Sequence, residues 1–94
     1  MLEKKIEKYL CDRVKAIGGL QYKFSSPAHR GVPDRIVIYN GKVHFVEVKQ
    51  DNGRLSSLQK IEHERIREQG LDVFVVWSTE DVDTFIEMIE EEYD

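Results

Sequence analysis

The sequence predicts an α/β domain in which a mixed β-sheet is flanked by helices. Three observations predict it: helix-period segments at both ends of the chain, an Asn-Gly pair between two β-rich runs, and an apolar run of strand length after a further helical segment. Together they indicate the element order α-β-β-β-α-β-α. With 94 residues, of which 40% are hydrophobic, the chain can bury one compact core, so we predict a single domain over residues 1–94.

The first helix is predicted over residues 2–17. Its apolar side chains recur with the 3.6-residue period of one helix face, and Gly18-Gly19 ends the pattern. The side chains of this stripe are Leu2, Ile6, Tyr9, Leu10, Val14 and Ile17. Residues 20–25 can form a first strand, and a loop through residues 27–33 follows it.

Two further strands and a tight turn come next. Residues 36–39 and 43–48 are rich in β-branched and aromatic side chains, and Asn40-Gly41 separates them. Both turn residues accept the positive φ of a type I′ turn, which makes Asn-Gly the strongest short-range hairpin signal. We therefore predict an antiparallel hairpin with a two-residue loop.

The second half of the chain predicts a helix, a strand and a helix. The first of these helices is expected to begin at Ser56, its N-cap, and to end at Gly70. Residues 71–77 are so apolar that we expect a buried central strand rather than an edge strand. Ser78, with Asp81 three residues on, is expected to cap the last helix. The apolar face of that helix contains Val82, Phe85, Ile86 and Ile89.

The composition also bears on the protein's location. No run approaches the roughly 20 apolar residues of a membrane-spanning helix, and the N-terminus lacks the apolar stretch of a signal peptide. Cys11 is the single cysteine, has no metal-ligand neighbour and fits a reducing compartment. We therefore expect a cytoplasmic protein without a membrane partner, and we assign Cys11 no chemical role.

Charge is distributed unevenly along the chain. The net charge is −4, but residues 79–94 hold eight of the 18 acidic side chains and no lysine or arginine, which leaves residues 1–78 with 14 basic and 10 acidic side chains. A basic body with an acidic tail is compatible with one DNA-facing side. The acidic tail is equally well explained as a solvated helix face.

The predicted hairpin brings two carboxylates together. If the loop has two residues, Tyr39 faces Lys42, and the same register places Asp34 opposite Glu47. Directly opposed residues have Cβ atoms about 4.5–5.5 Å apart, and like charges at that separation destabilise a sheet. A divalent cation such as Mg²⁺ held between the two carboxylates would offset the repulsion.

Lys49 is expected on the same face as Glu47 because side chains alternate along a strand. In phosphodiester hydrolysis a metal lowers the pKa of bound water and polarises the phosphate, while a lysine orients the nucleophile or stabilises developing charge. Taken alone, Glu-x-Lys is also typical of an exposed strand face. A bulge after Pro33 would shift the register on which this interpretation depends.

A third carboxylate can come from the first helix. On a helical wheel Glu3 falls inside the apolar stripe, whereas Glu7 lies at its rim. Buried glutamate is rare unless it is paired or binds metal, so we expect Glu3 rather than Glu7 at the site. The alternative is that Glu3 reaches solvent from the first helical turn.

Three separated motifs resemble the VRR-NUC family, a branch of the PD-(D/E)xK nuclease superfamily. They are Gly31-Val32-Pro33-Asp34-Arg35, Phe45-Val46-Glu47-Val48-Lys49-Gln50, and Gly53-Arg54-Leu55-Ser56 with Gln59. The resemblance extends from Glu3 to about Val82. It implies a restriction-endonuclease-like α-β-β-β-α-β core and Mg²⁺ or Mn²⁺ as cofactor. It further implies a catalytic lysine, Lys49, and metal ligands in Asp34, Glu47, the main-chain carbonyl of Val48 and Glu3.

Five further residues are candidates with competing explanations. Ser56-x-x-Gln59 is a good capping box, and the resemblance also places Gln59 in the active site. His29, Arg30, Arg35 and Arg54 are candidate contacts for the nucleic-acid backbone, since arginine binds phosphate in a bidentate manner. Each is also compatible with an ordinary surface position.

Stand-alone proteins of the family imply a viral or phage homodimer that cuts branched DNA such as four-way (Holliday) junctions. A two-fold axis would supply two active sites for paired incisions. A second hypothesis is another PD-(D/E)xK resolvase or restriction-like nuclease. A third is a catalytically silent DNA-binding module, which would have no physical reason to keep two opposed carboxylates.

Overall fold

The computed structural model describes residues 1–92 and shows the predicted element order. Asp94, the last residue of the acidic segment, lies outside the described residues. No helix in residues 1–92 combines the length and apolar character that crossing a bilayer requires. The elements are α1 (Glu3–Ala16), β1 (Leu20–Lys23), β2 (Arg35–Tyr39), β3 (Lys42–Val48), α2 (Ser57–Glu68), β4 (Val73–Val76) and α3 (Thr79–Glu91).

The four strands form one mixed sheet in the order β1-β2-β3-β4. The β1–β2 and β2–β3 pairs are antiparallel, and β3 pairs with β4 in parallel. The hydrophobic core joins α1 and α3 to one face of the sheet, through Ile6, Leu10, Val14, Val37, Val46, Val48, Val76, Val82, Phe85, Ile86 and Ile89. α2 lies against the other face. The sequence therefore predicted the α/β class and the mixed sheet correctly.

The hairpin register agrees with the prediction. Asn40 and Gly41 have φ values of 48° and 86°, as a type I′ turn requires. Tyr39 pairs with Lys42, and the ladder continues without a bulge to Arg35 opposite Val46. One residue further along both strands, the same register places Asp34 opposite Glu47.

The strand predictions fail in two details. β4 is the edge of the sheet in residues 1–92, so the expectation of a central strand is wrong. β4 is apolar because helices cover both of its faces. On the α3 side the ring of Phe74 lies 4.9 Å from that of Phe85. On the α2 side Val73 is buried. β1 ends at Lys23 rather than at residue 25, because beyond the Phe24 amide, which donates to the Asp34 carbonyl, the chain leaves the sheet.

The predicted helix caps are present. The Ser56 hydroxyl accepts a hydrogen bond from the Gln59 amide, and the Gln59 side chain accepts one from the Ser56 amide, which completes the capping box. Gly70, just beyond α2, has a φ of 92°. At the start of α3 the Ser78 hydroxyl accepts from the Asp81 amide at 3.0 Å.

The loop before β2 packs directly against the first turn of α2. Gly31 has a φ of 93°, and a Cβ at this position would lie 2.5 Å from the carbonyl oxygen of Leu58 and 2.8 Å from the amide nitrogen of Gln59. Glycine is required there both for its backbone conformation and for this close approach. The contact joins the segment that carries Asp34 to the helix that carries Gln59.

Substituting Gly31 should destabilise the domain more than substituting a glycine that has nearly the same φ but no close neighbour. Gly31→Ala is expected to cost roughly 2–4 kcal/mol, from left-handed strain and over-packing against Leu58. Gly70→Ala is the matched control, because Gly70 has nearly the same φ and no atom within 4 Å of the added Cβ. Its cost should be about 1 kcal/mol. Urea unfolding of both variants measures the difference, and equal costs would contradict the proposed contact.

Candidate active site

Asp34 and Glu47 converge on the α2 side of the sheet. Asp34 is half-buried and Glu47 is 1% exposed. The Asp34 carboxylate accepts a hydrogen bond from the Val48 amide at 2.8 Å. Burial, with the nearby Glu47 carboxylate as a further cause, raises the pKa of Asp34 from 3.8 to about 6, although the Val48 amide acts in the opposite direction. The two carboxylates therefore interact as the hairpin register predicted.

Two side chains of α2 hold Glu47. The Gln59 side-chain amide donates to Glu47 Oε2 at 3.3 Å, and His63 Nε2 lies 3.3 Å from Glu47 Oε1. A carboxylate oxygen has two acceptor positions, so each oxygen retains one that a cation could use. The contacts fix the direction of the carboxylate without using all of its acceptor capacity.

Gln59 takes part in the capping box and contacts Glu47 at the same time. Its Oε1 accepts from the Ser56 amide at 2.8 Å, while its Nε2 donates to Glu47. Because the main-chain amide must meet the oxygen, the cap also determines which end of the side-chain amide faces the carboxylate. The two alternatives left open for Gln59 by the sequence are thus compatible.

His63 is a candidate that the sequence analysis missed. It is fully buried, and it is the only residue of α2 that is buried. Its spacing of four residues from Gln59 places both side chains on one helix face, which is the signal that could have identified it. Within residues 1–92, its Nδ1 atom makes no hydrogen bond.

Lys49 follows β3 and is partly buried. Its amide donates to the Val76 carbonyl at 2.9 Å, which extends the β3–β4 pairing past Val48. Strand alternation then places its side chain on the Glu47 face. The loop beyond it is anchored by the Trp77 indole, which donates to the Gly53 carbonyl at 2.7 Å.

The burial of the two glutamates of α1 is the opposite of what the helical wheel predicted. Glu3 is exposed, so the expectation that it is buried is wrong; it lies in the first helical turn, after an extended Leu2. Glu7 is half-buried and accepts a hydrogen bond from Arg35 Nε at 3.2 Å. The Glu7 charge is also among the causes that raise the pKa of Asp34. Glu7 is therefore the α1 carboxylate that acts on Asp34 in this structure.

Among the four candidate contacts for nucleic acid, Arg35 differs from the other three in burial and in its partners. Arg35 pairs with Val46 on the core side of the sheet and binds Glu7 and, at 2.8 Å, the Gln21 side chain. It therefore points away from the two carboxylates. The other three, His29, Arg30 and Arg54, are exposed on loops before β2 and before α2.

The donor set fits a hard divalent cation. Two carboxylates converge, burial and the Glu47 charge both raise the pKa of Asp34, and oxygen ligands suit Mg²⁺ and Mn²⁺. In the described part of the chain no group of three or more acidic, histidine or cysteine side chains forms a metal cluster. A metal bound by Asp34 and Glu47 would therefore need main-chain, water or phosphate oxygens as further ligands.

Comparisons with known proteins agree with the fold described above. Residues 10–80 match the VRR-NUC domain family. The chain is 47% identical over 75 residues to "Putative nuclease p44" of Acyrthosiphon pisum secondary endosymbiont phage 1, an alignment that covers 79% of this chain and 81% of that protein. It is also similar to a solved structure described as a VRR_NUC domain. That similarity has a TM-score of 0.82 and 39% identity, and it covers 90% of this chain and 94% of the other.

Neutralising Asp34 should stabilise the metal-free protein. Asp34→Asn keeps an acceptor for the Val48 amide and removes the repulsion of Glu47, so in EDTA at pH 7.5 we expect a gain of about 1 kcal/mol after solvent screening. This corresponds to a rise in Tm of about 4–8 °C. Asp72→Asn, which removes an exposed carboxylate, is the control.

The gain should depend on pH. Because the pKa of Asp34 is higher in the folded than in the unfolded chain, the folded wild type binds more protons between pH 4 and about pH 6, and its stability falls as the pH rises through that window. Asp34→Asn lacks this loss. Its advantage should grow from pH 4 to pH 6 and then stay constant, and thermal unfolding in EDTA would show it. An advantage that does not change with pH would exclude this electrostatic cause.

Proposed function

Because this chain belongs to the VRR-NUC family, we propose that it is a metal-dependent, structure-selective DNA endonuclease. The observation that carries the proposal is the convergence of Asp34 and Glu47, two carboxylates whose mutual repulsion a bound cation would relieve. The similarity to "Putative nuclease p44" of a phage supports the reaction class and an origin in a phage. We further propose that the protein acts in the host cytoplasm.

Asp34, Glu47 and the main-chain carbonyl of Val48 would hold Mg²⁺ or Mn²⁺. Such an ion lowers the pKa of bound water and offsets the charge of the phosphate. Gln59 and His63 keep the Glu47 carboxylate in one orientation. We assign the α1 acid to Glu7 rather than Glu3, since Glu7 is the one that interacts with Asp34.

Lys49 is the residue proposed to act on the substrate. An ammonium on the Glu47 face can orient the attacking water and stabilise the charge that develops on the phosphate. The exposed Arg30 and Arg54, on the loops beside the site, would bind the DNA backbone, as would His29. Arg35 is better explained as the residue that holds Glu7.

We propose branched DNA, such as a four-way junction, as the substrate and a homodimer as the active form. Two copies related by a two-fold axis present two sites to the two continuous strands of a symmetric junction. The charge distribution is compatible with DNA on the α2 side, because the acidic α3 lies on the opposite face. There Arg13 of α1 forms an ion pair with Asp83, which neutralises part of the α3 charge.

Cleavage of end-labelled DNA tests this function. Wild type with Mg²⁺ or Mn²⁺ is expected to cut four-way junctions faster than linear duplex, and Glu47→Ala and Lys49→Ala should each lose at least about 100-fold in rate. Glu64→Ala, on the exposed side of α2, is the control and should cut like wild type. If Glu47→Ala cuts normally, the site is wrong. If wild type binds every DNA and cuts none, the catalytically silent module is the better explanation.

The contact between His63 and Glu47 should control metal affinity. His63→Ala removes a partner of the proposed ligand and is expected to weaken Mn²⁺ binding by about 10–100-fold in calorimetric titration, whereas His63→Gln can still donate to Glu47 and should bind Mn²⁺ more tightly than His63→Ala. Circular dichroism checks that both variants fold. Equal Mn²⁺ affinity in wild type and His63→Ala would limit His63 to a packing role.

A further inference from the structure

A cavity of about 510 Å³ lies beside the two carboxylates and takes no part in the chemistry proposed for them. It lies between β3, α2 and the loop after β1. Its apolar lining includes Phe24, Val32, Phe45, Ile66 and Leu71, and the rings of Phe24 and Phe45 are 5.7 Å apart. The volume is that of a small-molecule site, and the aromatic lining suits a flat ring.

The cavity and the carboxylates share one strand and one helix. Phe45 precedes Glu47 by two residues and faces the same side of the sheet, about 7 Å along the strand. On α2, Glu62 and Ile66 line the cavity, and His63, which contacts Glu47, lies between them within about one helical turn. A single nucleotide of an extended DNA strand can span this distance between the cavity and Glu47.

The rim of the cavity carries hydrogen-bonding groups whose charges are balanced. Glu62 is 15% exposed, and its Oε1 lies 3.5 Å from His29 Nδ1 and 3.9 Å from Arg65. The carboxylate can accept from the amino group of a base, while the two basic side chains limit its repulsion of phosphate. An apolar cavity with two aromatic rings in its lining and such a rim is suited to a nucleobase.

We propose that this cavity binds an unpaired nucleobase of the DNA substrate, one nucleotide from the phosphate that is cut. The proposal rests on the proposed function, because it requires a strand whose cleaved phosphate is held at the two carboxylates. A base in continuous duplex DNA must be unpaired before it can enter, and the cost is least where the base is already single-stranded, as in the arms of a splayed duplex. The cavity would thereby favour branched over linear DNA.

The test uses Lys49→Ala protein, which should bind DNA without cutting it. After wild type has been used to map the cut, a splayed duplex carries 2-aminopurine at the nucleotide next to that position, and a second splayed duplex is abasic there. Phe24→Leu removes an aromatic wall but keeps an apolar side chain. Leu71→Ala is matched by Met88→Ala, because these residues are 43% and 44% exposed and Met88 lies on α3, across the sheet from the cavity.

We expect Phe24→Leu and Leu71→Ala to bind the 2-aminopurine substrate about tenfold more weakly, within the range that base–aromatic stacking provides, and to lose its fluorescence change on binding. On the abasic substrate these variants should equal Met88→Ala. An equal loss on both substrates, or no loss, would overturn the proposal. So would a loss of dimer mass with an unchanged base signal, since the cavity would then be a protein interface. Failure of wild type to cut any DNA would contradict the proposed function instead.

Discussion

The register of the β2–β3 hairpin is the constraint on which the site depends. Asn40 and Gly41 close the turn in the left-handed region with no extra residue, so the pairing continues unchanged to the end of the ladder. A slip of one residue would turn every side chain of one strand to the other face. Asp34 and Glu47 are therefore held side by side, and burial, together with the Glu47 charge, raises the pKa of Asp34.

α2 positions side chains of the site but contributes little buried apolar surface. His63 is its one buried residue, so this helix adds little apolar surface to the core. Its stability must come from the capping box, the close approach of Gly31 and polar contacts with the sheet. The same groups set the site, because Gln59 completes the cap and also binds Glu47. The side chain that caps α2 therefore also orients the Glu47 carboxylate.

The two faces of the sheet have different roles. One face packs against α1 and α3 and forms the hydrophobic core. The opposite face holds the half-buried Asp34 and the buried Glu47 with their polar partners. Arg35 and Glu7 connect the two faces electrostatically: Arg35 lies on the core side, and the Glu7 charge still reaches Asp34. Neither Asp34 nor Glu47 belongs to the hydrophobic core, so the pair of carboxylates lies apart from the apolar packing.

The sequence by itself determined the element order, the hairpin and the opposition of Asp34 to Glu47, because turn chemistry and side-chain periodicity act over a few residues. The tertiary structure alone decided the features that depend on how distant segments pack. These are the edge position of β4, the placement of Glu7 rather than Glu3 near the carboxylates, and the contact of His63 with Glu47. A helical wheel gives the face of a residue, but only the packed neighbours decide whether that face is buried and by what.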